Sequence, residues 1–331
     1  MDELLKAAED DVAVSSEQLL RLRKSLQNRV KACRSCGKNN GYNLTRCNAC
    51  SASLTEIPVT YTINVFSSFM YGIERCEKFP FTISVRYESS KCLVFDDMCQ
   101  VAPCHLCAIP TDVYVPDVRY LFEDPERGLG MLRRLHNAAI GVVVDGFLAN
   151  KAWRSKMFRD SADMSDDDFK KHVISGFNFP PSQYQLHLQM MLPPFMPFHY
   201  LMYLKGNHYT KLRFFPFEFI QQSLEALLQR GRHIPAAREM SASSLIEAVY
   251  SISGVDYDAV YSKCYTRYGD SHRKLANWKA EDFSTSIKAD ECEDEECKTA
   301  IQRDAGILKN YGKGGLRYYA YAKLPGEVKY W

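Results

Sequence analysis

No run of roughly 20 apolar residues occurs in the chain, so nothing in it reads as a membrane-spanning helix. A secretory apolar region and an arginine-rich transit segment are also missing, so the chain reads as intracellular and soluble, cytoplasmic with a nuclear location left open. It has no internal repeat and no long low-complexity tract. Net charge is close to nil, +2, and says little about partners.

What is present is enough apolar material for a real core. With 331 residues, 46% of them hydrophobic, the chain can hold two folded units plus small attachments. Charge is distributed unevenly. Met1 to Ser16 is acidic, whereas Glu17 to Cys50 carries Arg21, Arg23, Lys24, Arg29, Lys31, Arg34, Lys38 and Arg46 against Glu17 alone. The twelve cysteines, in a reducing compartment, read as thiols and metal ligands rather than disulfides.

Four of them form the pattern C-x2-C-x10-C-x2-C: Cys33, Cys36, Cys47 and Cys50. Two such knuckles can close a tetrahedral site, and zinc is the expected metal. The segment has few apolar side chains, so metal binding must supply most of its folding free energy. Four thiolates leave no open coordination position, which makes the zinc structural rather than catalytic. A redox-active C-x-x-C reading lacks the βαβ setting it needs.

Ahead of the knuckles, Ser15 and Gln18 resemble a capping box, and Leu19, Leu22, Leu26 and Val30 follow helical spacing. The opposite face is basic. Basic helix and zinc ribbon together suggest contact with nucleic acid or an acidic protein, against the alternative of a solvated helix packed on the main domain. No aromatic stacking platform accompanies the charges.

From about Pro58 the pattern changes to strands and turns. Thr60 to Val65 reads as a strand, Phe66 to Gly72 as a short helix, Phe81 to Arg86 and Lys91 to Asp96 as paired strands, and His105 to Ile109 as another. Asp124-Pro125 caps a long helix striped by Leu129, Leu132, Leu135, Ala139, Val142 and Val143. Phe169 to Ser175 and Gln183 to Leu192 read as strands. This order predicts an α+β fold with an antiparallel sheet. In Gln183 to Leu192, alternation turns Gln185, His187 and Gln189 to one face and Leu186, Leu188 and Met190 into a core.

Across roughly Thr60 to Pro194 the chain resembles the histidine-triad superfamily of nucleotidyl hydrolases and transferases. The residues that carry the likeness are Val65-Phe66-Ser-Ser-Phe69-Met70-Tyr-Gly72, then Phe95-Asp96-Asp97-Met98 through Ala102-Pro103-Cys-His105 to Ile109-Pro110, and the histidine strand. The resemblance implies a sheet packed by a long helix, with a base pocket at Val65, Phe66, Phe69 and Phe95. It also implies a ribose-binding carboxylate at Asp97 and a hydroxyl at Ser182 for the phosphate. His187 matches the middle histidine, which in the family attacks the α-phosphorus and becomes nucleotidylated. Gln189 would stabilise charge on the phosphoryl oxygens.

The chain departs from the family at Gln185-Leu-His187-Leu-Gln189. The family has H-φ-H-φ-H, or H-x-H-x-Q in its transferase and phosphorylase branch. A glutamine amide can donate a hydrogen bond but cannot deliver a proton, so good leaving groups such as pyrophosphate are favoured. The expected parts are a helical arm (1–31), a zinc ribbon (32–56), a histidine-triad-like nucleotide-binding domain (57–198) and an α+β C-terminal extension (199–331). In the extension, Phe214 to Leu228, Ser241 to Tyr250 and Asp256 to Tyr268 read as helices, and Tyr311 to Lys323 as a basic aromatic strand. Lys205, His208, Lys211 and Arg213 are candidates to clamp phosphates, with a solvated surface as the plainer reading. Cys99, Cys104, Cys107 and His105 read as buried thiols and a sheet histidine rather than a second metal site, because Cys104 and His105 face opposite ways.

The functional expectation is cleavage of a nucleotide phosphoanhydride through a nucleotidyl-His187 intermediate, on dinucleoside polyphosphates, nucleotide sugars or nucleic-acid ends. The alternative is a scaffold without turnover that binds nucleotide, RNA or protein. A nucleotide ligand is expected, and no membrane. Nucleic acid through the arm and ribbon, and a homodimer through the long helix, remain open.

Overall fold

The computed structural model describes residues 2–10, 14–42, 44–47, 50, 52–70, 84–97, 100–159, 164–277 and 329–331. The chain starts with helices α1 (Asp2–Asp10) and α2 (Ser16–Ser25), followed by strands β1 (Gln27–Ala32), β2 (Asn39–Gly41) and β3 (Thr60–Ile63) and helix α3 (Val65–Met70). Strands β4 (Val85–Glu88), β5 (Cys92–Asp96), β6 (Cys104–Pro110) and β7 (Val113–Tyr114) lead to the long helix α4 (Pro125–Gly141). Helices α5 (Lys151–Met157) and α6 (Asp166–Lys170), strands β8 (Ile174–Asn178) and β9 (Leu188–Leu192), and helix α7 (Pro197–Leu204) come next. The remainder is β10 (Phe214–Pro216), α8 (Phe217–Gln229), α9 (Ala242–Ser253), α10 (Tyr257–Leu275) and β11 (Lys329–Tyr330).

The main sheet runs β10-β8-β9-β6-β5-β4, every pairing antiparallel, as the α+β reading expected. Its two faces separate by strand alternation. Val94, Cys104, Leu106, Leu188, Met190 and Leu192 pack with Leu132, Leu135 and Ala139 of α4 in the main core. The opposite face turns Leu93, Phe95, Cys107 and Ile109 toward Val65 and Phe66 at the start of α3. Asp124 caps α4 by accepting from Arg127 N, with Pro125 in the first turn. The chain then continues through a π-helical turn, Val142–Leu148.

Several boundaries differ from the sequence reading. Ser15 and Gln18 do form the capping box, but α2 stops at Ser25; Val30 belongs to β1, where alternation buries Asn28 and Val30. Phe169 lies in α6, because Ser165 caps the acidic run that follows it. The helix expected from Phe214 begins at Phe217, since Phe214–Pro216 pairs with β8 and proline cannot continue a ladder. The strand expected at Gln183 starts only at Leu188; residues 182–185 form a bend. Tyr311 to Lys323, Cys99 and the span 71–83 lie outside the described residues.

Strand pairing runs across the expected divisions at 31/32 and 198/199. β1 runs through Ala32 and pairs with both β2 and β3, and β10 from the extension extends the main sheet. Helix α8 also packs on α4, with His136 stacked on Phe217 at 4.0 Å and Arg133 paired to Glu225 at 2.9 Å. Part of the long helix through which a homodimer was considered is therefore covered by the chain itself. No helix among the described residues is long and apolar enough to cross a membrane.

Candidate active site and cysteine cluster

The bend 182–185 is held at several points. Asn28 of β1 donates through Nδ2 to Gln183 Oε1 at 2.7 Å and accepts at Oδ1 from Tyr184 N at 2.9 Å. Asn64 donates to the Tyr184 carbonyl at 3.1 Å, and Val65 N donates to Gln183 Oε1 at 2.9 Å. The N-terminal sheet and the start of α3 thus fix the approach to His187.

His187 is 4% exposed and lies edge-on to the Phe66 ring, with centroids 4.9 Å apart. Its Nδ1 is 2.8 Å from the Gln185 carbonyl. A carbonyl only accepts, so Nδ1 carries the proton and Nε2 keeps its lone pair. Among the described residues Nε2 has no hydrogen-bond partner. Burial lowers the imidazole pKa, opposed by the Gln185 bond and the Asp97 charge, so the ring stays neutral near pH 7.

Two residues further along, in β9, Gln189 sits opposite Cys107 in the sheet register. Its Nε2 donates to Asp97 Oδ2 at 3.2 Å, and its Oε1 lies 2.8 Å from His105 Nε2. Val101 N donates to His105 Nδ1 at 3.2 Å, so His105 must donate from Nε2 to Gln189. Cys107 also donates to Asp97 Oδ2, at 3.0 Å. The chain of donors is therefore directional and ends on the Asp97 carboxylate. The adjacent Asp96 instead takes a bidentate Arg86, and burial pushes its carboxyl up to about 6 against that cation.

The geometry groups some of the expected site residues and separates others. Asp97, Gln189, His187, Phe66 and Phe95 share one side of the sheet, Phe66 meeting Phe95 at 5.4 Å, with Val65 packed beside them. The Phe69 side chain lies outside what is described. Gln185 is not turned to that side. It is fully buried, donating to the Pro110 and Val113 carbonyls at 2.9 and 3.2 Å and accepting from Val115 N at 3.1 Å, so its amide is used up. Ser182 is exposed, with its carbonyl 3.4 Å from Asn28 Nδ2.

Cys104 points into the main core while His105 and Cys107 face the site, as alternation required. His199 and His208 lie 3.0 Å apart, and burial lowers the pKa of both rings. The pairing was not legible because the two histidines come together only through the turn after α7. Lys211 is engaged by Asp258 at 2.8 Å, away from the phosphate role considered for it.

The ligand sulfurs of Cys33, Cys36, Cys47 and Cys50 all lie within 4.8 Å of one another. Cys33 to Cys50 and Cys36 to Cys47 are each 3.6 Å. A zinc with sulfur at ~2.3 Å in a tetrahedron needs an edge of about 3.8 Å, so the donor set fits. Asn40 Nδ2 donates to Cys47 Sγ at 3.5 Å, a contact that would stabilise a thiolate. Among the described residues no other group of three or more metal-capable side chains comes together.

The antiparallel sheet, its packing helix and the imidazole beside it form the arrangement that the histidine-triad resemblance implied. Residues 72–199 match the family model described as scavenger mRNA decapping enzyme C-term binding, a match that agrees with the histidine-triad resemblance of the sequence. Similar solved structures include "Crystal structure of aprataxin ortholog Hnt3 in complex with DNA", 16% identical, covering 63% of this chain and 96% of that one at a TM-score of 0.33. Another is "Crystal structure of aprataxin ortholog Hnt3 from Schizosaccharomyces pombe", 16% identical over 61% of this chain and 92% of that one, TM-score 0.31. A third, "Hnt3 in complex with DNA and guanosine", is 18% identical, covering 63% and 98%, at 0.29. No curated protein sequence matches the chain.

Proposed function

We propose that the protein is a nucleotidyl hydrolase or transferase that cleaves a nucleotide phosphoanhydride. The observation that carries this reading is the Nδ1 bond of His187 to the Gln185 carbonyl, which leaves Nε2 as the nucleophilic nitrogen of a neutral imidazole. Nε2 attacks the α-phosphorus, an N–P bond forms and the P–O bond to the leaving phosphate breaks. Water or an acceptor hydroxyl then breaks the N–P bond and regenerates the imidazole. Asp97 would accept from the ribose hydroxyls, and Phe66 and Phe95 would wall the base.

Gln189 has a positioning role in this reading, since its donor is committed to Asp97. Neither flanking glutamine can protonate a leaving group, which favours phosphate or pyrophosphate departure over alkoxide. We assign zinc to the four cysteines in a purely structural role. Nucleic acid is the partner class that the basic arm and ribbon suit.

The test is to incubate the protein with α-32P-labelled dinucleoside polyphosphate and nucleotide sugar, then quench in base. A base-stable, acid-labile label that is lost in His187→Ala supports the reading. A second reading, a nucleotide-binding scaffold without turnover, draws on the burial of the imidazole and the committed Gln185 amide. Nucleotide binding with no label and no hydrolysis would establish it instead.

A further inference from the structure

We propose that the cleft between the N-terminal sheet and the central domain binds single-stranded nucleic acid, with bases on Tyr42, Tyr61 and Tyr184 and phosphates on Lys24 and Arg29. This deepens the nucleic-acid reading above and does not depend on turnover at His187. The cleft has a volume of about 600 Å³. Its charged lining is Lys24, Arg29, Arg119 and Arg238 against Asp117 alone, and Tyr42, Tyr61, Tyr114, Tyr120 and Tyr184 supply aromatic surface.

The residues come from segments far apart in sequence, and for that reason the sequence showed charge without a stacking platform. Arg29 and Tyr61 are cross-strand partners of β1 and β3, and both are exposed. The Arg29 guanidinium lies 4.1 Å from the centre of the Tyr42 ring, and Tyr42 meets Tyr184 at 5.8 Å. A cation and two rings are thus already lined up, with Tyr61, 64% exposed, beside them. Arg119 is neutralised by Asp117 and Arg238 by Glu123. Lys24 and Arg29 have no acidic partner among the described residues, so the uncompensated charge sits on the arm side.

Alternating cations and flat rings suit a polyanion whose bases are unstacked. An acidic peptide would satisfy the cations but leave the rings unused, and a duplex keeps its base faces inside. Tyr184 is three residues before His187, at most about 11 Å of chain, so a strand in the cleft leads toward the imidazole.

The test is fluorescence anisotropy of a labelled ten-nucleotide single strand, RNA and DNA, with full-length zinc-loaded wild type and His187→Ala. Both proteins should bind either strand, and affinity should fall about sevenfold between 50 and 200 mM salt if two phosphates are held. Tyr61→Ala should weaken binding about 5- to 100-fold while Tyr61→Phe keeps it. Arg29→Glu should weaken it at least about tenfold, with thermal unfolding of each variant as the folding control. Unchanged affinity in folded Tyr61→Ala and Arg29→Glu would overturn the assignment, as would equal binding of a decaglutamate peptide. Because binding is read on His187→Ala and nucleotidylation on wild type, either reading can fail without the other.

Discussion

The Gln189 side-chain nitrogen stands 3.2 Å from the Asp97 carboxylate, and that contact joins the strand following the imidazole to the turn that would hold the ribose. Replacing the amide by a carboxylate makes the contact repulsive. In Gln189→Glu, two carboxyl groups about 3 Å apart cannot both ionise freely, and one proton is retained to higher pH. Nucleotide affinity should fall about tenfold or more at neutral pH and recover as pH drops toward 5. Binding isotherms across that range check it, and a pH-independent loss would show that Asp97 is not the affected group.

Gln185 answers a different question. Its amide meets three backbone groups in a fully buried position, and an apolar replacement of similar size leaves all three unsatisfied. Gln185→Leu should therefore destabilise the fold by about 2–4 kcal/mol, read as a lower urea midpoint at unchanged slope. Full stability would mean that the turn after β6 does not rely on the amide.

The same residue marks the limit of what the chain shows without coordinates. Alternation along Gln185, His187 and Gln189 predicts a shared face, and His187 and Gln189 do act on the site side. Nothing local shows that a bend over 182–185 sends the Gln185 amide into backbone. Local signals served well where the cause is local: Ser15 with Gln18, Asp124 with Pro125 and the C-x2-C pairs all form as spacing dictates. Long-range partners stayed hidden. Asn28 holding residues 182–184, Tyr42 meeting Tyr184 and β10 joining β8 each require the chain to close over many residues.

The cysteine cluster should carry one zinc per chain, measurable by elemental analysis of the purified protein. Cys47→Ser removes a buried ligand and should abolish retention. Asn40→Ala removes a donor to the Cys47 sulfur and should weaken zinc retention by about 10- to 100-fold in competition with a chromogenic chelator. Because β1 continues from the knuckles to the Asn28 clamp, stripping the metal should also lower the melting temperature of the whole chain. A melting curve indifferent to chelator would separate the ribbon from the rest of the fold.

Buried histidines set the response to acid. His199 and His272 are pushed down to about 3 and His208 to about 4, burial being the largest cause in each. His272 Nδ1 accepts from Phe195 N at 3.0 Å and its ring stacks on Tyr200 at 3.7 Å, so the folded chain holds it neutral. Unfolded, each imidazole titrates near ~6.5, so below that pH the unfolded chain binds protons the folded one refuses. Their stabilisation is complete above about pH 6.5 and is lost as pH falls toward 3–4. Asp96, raised to about 6, works the other way, since the folded state takes its proton first. His136, His172 and His187 are lowered by burial as well, so the depressed imidazoles outnumber this one carboxyl, and the urea midpoint should fall steadily from pH 7 to pH 5, with His272→Gln flattening part of that slope. A flat profile for the wild type would mean that these rings take up protons without unfolding the chain.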